Sequence, residues 1–151
     1  MIFLARSGDI NVEVVLAVIA VMILKWGRRL CDAFFVSLAV VGVVVINLLV
    51  RSALEPTEMS RGPAPATAFD FGFPSSQAAD SLTIALAFVI LTWPTPLRWP
   101  AIVFGLVYVL AVALSRICLG WSYPSDIVGG WELSLVWVTA SSFVRRIQNK
   151  P

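Results

Sequence analysis

Histidine is absent from all 151 residues. Its absence removes imidazole as base, acid, nucleophile and metal ligand. Cysteine is almost absent: Cys31 and Cys118 stand alone, in no C-x-x-C spacing. Carboxylates and two isolated thiols argue against zinc, haem and iron–sulfur ligation, so no metal and no cofactor is expected. Charge is scarce as well. Charged residues make up 13% of the chain, where a soluble domain carries roughly 25%. A net charge of +2 is too small to suggest nucleic acid as a partner.

What the chain has in abundance is apolar surface, with 59% of its residues hydrophobic. So few polar side chains cannot cover a surface that faces water, which implies an integral membrane protein. The fold class expected is all-α, a polytopic transmembrane helical bundle forming one domain over 1–151. At roughly 20 residues per span, the length allows about four to six spans. Apolar runs occupy 14–24, 33–50, 81–97, 99–115 and 127–144, the last interrupted by Glu132. They predict five spans at about 11–25, 33–50, 77–93, 100–115 and 126–144, with a long loop at 51–76.

Local signals support these limits. Asn11 or Asp9 suits an N-cap, and Glu13 falls in a first turn, where the helix dipole favours an acid. Trp93-Pro94-Thr95-Pro96 closes the third span and Pro100 suits the first turn of the fourth. Trp26 and Trp121 lie beside run ends, as an interfacial aromatic belt requires. A secretory signal over 1–24 fits poorly. It would carry Asp9 and Glu13, and Lys25-Trp26-Gly27-Arg28-Arg29 follows in place of a small-residue cleavage site.

Orientation follows from lysine and arginine. Lys25, Arg28 and Arg29, then Arg98, then Arg145, Arg146 and Lys150 all fall on one side of a five-span chain, and that side is expected to be cytoplasmic. The N-terminus, the 51–76 loop and the 115–126 connection then face outward. Cys31 and Cys118 are expected near opposite faces, with no disulfide between them. The 51–76 loop holds Arg51, Glu55, Glu58, Arg61 and Asp70 with four prolines, and a helix is not expected beyond about Met59.

Two outward segments carry motifs. Phe73-Pro74-Ser75-Ser76-Gln77-Ala78-Ala79-Asp80-Ser81 leads into the third span. There Ser75 or Ser76 suits a helix cap, and free N–H groups at a helix start suit an anion. Ser115-Arg116-Ile117-Cys118-Leu119-Gly120-Trp121-Ser122-Tyr123-Pro124-Ser125-Asp126 joins the fourth and fifth spans. Arg116 offers a planar donor fork for phosphate, and Asp126 suits an N-cap.

These residues resemble the type 2 phosphatidic acid phosphatase superfamily. Pro74-Ser75-Ser76-Gln77 stands where the family has Pro-Ser-Gly-His. Ser115, Arg116, Ser122 and Asp126 occupy the positions of its S-R-x5-H-x3-D motif. Tyr123-Pro124-Ser125-Asp126 followed by Ile127-Val128-Gly129-Gly130 looks like its bacterial members, which implies a bacterial cytoplasmic membrane. The resemblance covers roughly 45–145 and implies a five-helix version of the usual six-helix core. For the family's K-x6-R-P motif, only Arg51 and Arg61 are at hand, ten apart and with Gly62 before Pro63.

The departures fall on the chemistry. In the family one histidine attacks phosphorus and another protonates the leaving oxygen; their positions here hold Ser122 and Gln77. Gln77 does not titrate and cannot be a general acid. The Ser122 hydroxyl needs a base, and the carboxylate of Asp126 is a weak one. The phosphate-holding set remains: Arg116, Ser75, Ser76, Gln77, with Arg51 and Arg61. The expectation is a catalytically inactive relative that binds a phosphate-bearing lipid, polyprenyl or glycerolipid, or that serves in a homo-oligomer or larger membrane complex. The alternatives are a phosphatase using a nucleophile such as Ser122, and a small transporter with Glu132 on its path.

Blander readings stand beside these. Arg116 at a span end can snorkel to headgroups, and Gln77 and Ser122 can be ordinary hydrogen-bonding residues. Asp126 is expected to pair with Arg116, and Asp80 to pair with Arg116 or Arg61 or to serve as a first-turn acid. Glu132 inside the fifth span marks a pathway or a buried pair. Gly129-Gly130 favours close helix packing.

Overall fold

A computed structural model describes residues 29–58 and 73–148, together with Val18, Ile19, Met22 and Trp26. Four helices follow in order: α1 Leu30–Glu58, α2 Ser76–Thr92, α3 Arg98–Cys118 and α4 Pro124–Gln148. No strand occurs among the described residues. Parts of α1, α3 and α4 are long and apolar enough to cross a membrane, while α2 is a shorter apolar helix of 17 residues. The expected first span, with Asp9, Asn11 and Glu13, lies outside the described residues except for Val18, Ile19 and Met22, which are helical and exposed.

Hydrogen bonds fix the directions of the helices. Trp137 Nε1 donates to the Leu38 carbonyl at 3.1 Å, and Arg145 Nε donates to Asp32 Oδ1 at 2.7 Å. Residue numbers rise along α1 as they fall along α4, so those two are antiparallel. Ser134 Oγ donates to the Ala79 carbonyl at 2.6 Å, and a Cβ on Gly130 would lie 2.5 Å from the Ser75 carbonyl oxygen. Here both numbers rise together, so α2 and α4 are parallel. Gly105 of α3 lies against Ala85 of α2, and Ala113 packs with Ala78, an antiparallel pair.

The packing is inside-out relative to a soluble bundle. Many of the buried residues are small: Ala33, Ala39, Ala78, Ala79, Ala85, Ala87, Ala101 and Ala113, with Ser81 and Ser134. Large apolar side chains point outward, among them Val41, Leu48 and Leu49 of α1, Phe104, Val107 and Leu114 of α3, and Val136 and Phe143 of α4. Lipid tails are as apolar as leucine, so burial of large side chains drives little helix association. Small residues instead let helix backbones approach closely. Gly42 shows this, because its missing side chain makes room for the Trp137 indole. Several hydroxyls inside the helices bond carbonyls of their own helix, as Ser37 does to Ala33 and Ser115 to Val112, which keeps them satisfied without water.

Two helix limits differ from expectation. α1 runs to Glu58, eight residues past the expected span but within the helix limit expected near Met59, with Pro56 inside its last turn. α3 runs to Cys118 rather than 115. It ends in a Schellman turn: Gly120 adopts φ +69, its N–H donates to the Ile117 carbonyl, and Trp121 N–H donates to the Arg116 carbonyl. Glycine reaches that backbone region without steric cost.

Candidate functional site

The two motif segments meet at the end of the bundle where α2 and α4 begin. Ser75 is the N-cap of α2, in an extended conformation with φ −67 and ψ 113. Its N–H donates to the Asp126 carbonyl at 2.9 Å, and its Oγ lies 3.5 Å from Ser122 Oγ. Gly130 and Gly129 make this junction possible. A side chain on Gly130 would strike the Ser75 carbonyl, and one on Gly129 would strike the Phe73 ring. The glycine pair therefore presses the start of α4 onto the turn that opens α2.

Ser75 occupies the cap position without the expected capping bond, since no side chain caps α2. Ser76 begins the helix, half-buried. The first N–H groups of α2 therefore lack a side-chain acceptor, the arrangement that suits an anion. α4 differs. Asp126 is the third residue of that helix rather than its N-cap, and its Oδ2 accepts from the Tyr123 N–H at 3.0 Å. Its Oδ1 accepts from Ser125 Oγ at 3.3 Å. This is the reach-back half of a capping box, with Pro124 at the first helical position. The expected Asp126–Arg116 ion pair is therefore replaced by a cap, because both carboxylate oxygens serve the start of α4.

Arg116 lies in the last turn of α3 and is only 2% exposed, so it does not snorkel to the surface. Its guanidinium sits 5.2 Å from the centroid of the Trp121 ring, a cation–π contact set up by the Schellman turn. Ala113, one turn earlier, packs on Ala78 and Ile127, which carries Arg116 to the level of the α2 start. Asp80 is buried in α2. Arg51 is half-buried near the end of α1; Arg61 lies outside the described residues. Glu132 is exposed on α4, so the expected buried pair is not found: α4 turns that carboxylate away from the bundle.

One polar group escaped sequence reasoning. Asn47 of α1 is 3% exposed and its Nδ2 has no hydrogen-bond partner among the described residues. Gln77 is 5% exposed, and its Oε1 is likewise without one. The available signal was that Asn47 is the one amide in the apolar run 33–50. An unsatisfied buried polar group costs about 1–3 kcal/mol, so two together call for an occupant. Cys31 and Cys118, both free thiols, stand at opposite ends of the bundle. Among the described residues no cluster of acids and cysteines suits a metal ion.

A family model described as the PAP2 superfamily matches residues 33–149. With most of the chain matched, and with its two motif segments joined in space, the protein belongs to that superfamily and is an integral membrane protein. No curated protein and no solved structure matches the chain.

Proposed function

We propose that this protein binds the phosphate of a membrane lipid at the α2–α3–α4 junction and does not hydrolyse it. The observation that carries the reading is the meeting of the segments around Ser75 and Ser122 beside a buried Arg116, in a chain without histidine. Donors for a phosphate are gathered there: a guanidinium, two serine hydroxyls and the uncapped start of α2. Gln77, which does not titrate, stands where the family has the histidine that protonates the leaving oxygen, and the Asp126 carboxylate is engaged on its own helix.

The same end of the bundle is proposed to face outward, with the C-terminus cytoplasmic. Arg29, Arg98, Arg145 and Arg146 all lie toward the opposite end, which supports that orientation. A bacterial cytoplasmic membrane remains part of this reading, as does service in a homo-oligomer or larger complex.

The test is binding of a matched alkyl phosphate to the full chain in lipid nanodiscs. Arg116→Ala is expected to weaken it about 100-fold, as loss of a buried charge-assisted contact does. Unchanged affinity would remove the proposal. The family's ordinary activity favours a second reading, hydrolysis through Ser122. Phosphate release that disappears in Ser122→Ala would establish it in place of the first. Gain of hydrolysis in Gln77→His with Ser122→His would show an intact pocket that lacks only its chemistry.

A further inference from the structure

The buried stripe of α1 runs through Asp32, Val36, Ala39, Val43 and Asn47, at intervals of three and four residues that define one helix face. Arg51 is the next position on that face. Two independent registers locate Asn47 along the bundle. Phe35, Val36 and Ala39 pack on Ala87 of α2, and Leu38 meets Trp137 of α4. Continuing both antiparallel pairings brings Asn47 to the level of Gln77 on α2 and of Gly130 on α4. α1 thus delivers a buried amide to the depth of the proposed phosphate site.

Two of the unsatisfied atoms there, both on amides, are of opposite kinds. Asn47 Nδ2 is a donor, and Gln77 Oε1 is an acceptor. An ionised phosphate oxygen accepts only, so it satisfies Asn47 Nδ2 and leaves Gln77 Oε1 without a donor. A hydroxyl does both, accepting from Nδ2 while donating to Oε1. We propose that Asn47 and Gln77 form a hydroxyl-recognising subsite, which makes the preferred ligand a phosphate lipid bearing a free hydroxyl near its phosphorus. This rests on the phosphate-binding reading above and goes beyond it by assigning α1 a role in selectivity.

Three single-chain probes of matched length separate the outcomes, each titrated calorimetrically into the full chain in nanodiscs. One is an alkyl phosphate without hydroxyl, one a lysophosphatidate with a backbone hydroxyl, and one an alkyl phosphoglycerol with headgroup hydroxyls. At least one hydroxylated probe is expected to bind roughly tenfold more tightly than the alkyl phosphate, the worth of two neutral hydrogen bonds. The tighter of the two identifies the source of the hydroxyl. In Asn47→Leu and Gln77→Leu that preference is expected to fall to about twofold or less, with the alkyl phosphate still bound. Equal affinity of the three probes for the parent chain would overturn the subsite and leave phosphate binding standing. So would a preference that survives both substitutions. Failure of all three to bind would instead remove the phosphate reading itself.

Discussion

At one end of the bundle, Arg145 sets Nε and Nη2 on a single oxygen of Asp32, each at 2.7 Å, with Arg29 3.7 Å from the other oxygen. The Phe35 ring lies 5.6 Å beneath that guanidinium. At the other end, Arg116 is more deeply buried and lies over Trp121, while the amides of Asn47 and Gln77 keep atoms with no partner. Both ends spend an arginine and an aromatic ring. One closes its hydrogen bonds within the protein and clamps the start of α1 to the end of α4. The other leaves capacity unused, which in a membrane interior is costly unless something fills it. Unsatisfied polarity therefore separates a site from a clamp more clearly than the residue types do.

The sharpest way to break the contrast is Gly130→Val. The added side chain would meet the Ser75 carbonyl and the Ala79 nitrogen, at 2.5 and 3.1 Å for its first carbon. Both are backbone atoms that cannot swing aside. A loss of about 2–4 kcal/mol is expected, read by thermal unfolding in detergent, together with loss of lipid binding. A smaller effect is expected at the clamp. Asp32→Ala and Arg145→Ala should each cost about 1–3 kcal/mol, and the double variant little more, because the pair is only partly desolvated. Lipid affinity in these variants should stay within about twofold; a large drop would show that the two ends are not independent. Smallest is Gly120→Ala, expected to cost about 1 kcal/mol through its left-handed backbone. It should also weaken the Arg116–Trp121 contact, a change visible as a shift in tryptophan emission.

Much of this arrangement was legible in the chain. Apolar run lengths gave α2, α3 and α4 to within a few residues, because prolines at 94, 96, 100 and 124 and glycine at 120 punctuate them. The family resemblance set Ser75 and Ser122 in two motif segments, and the structure joins them. What could not be read has physical causes. The Asp32–Arg145 bond joins residues 113 apart in sequence, and no local pattern signals it. Asp126 looks the same in sequence whether it caps a helix or sits three residues inside one; the difference is one of backbone register. Asn47 was hidden because a single amide does not interrupt an apolar run. Glu132 misled for the opposite reason, since hydropathy records a charge in a span but not the face it occupies.

The turn at Gly120 has one consequence for measurement. By folding the chain back, it parks an indole under the cation proposed to meet the lipid. Any anion that draws on Arg116 must alter the electric field felt by that ring. Of the six tryptophans, Trp121 is thus wired as an internal optical gauge of occupancy, one that needs no label and no turnover.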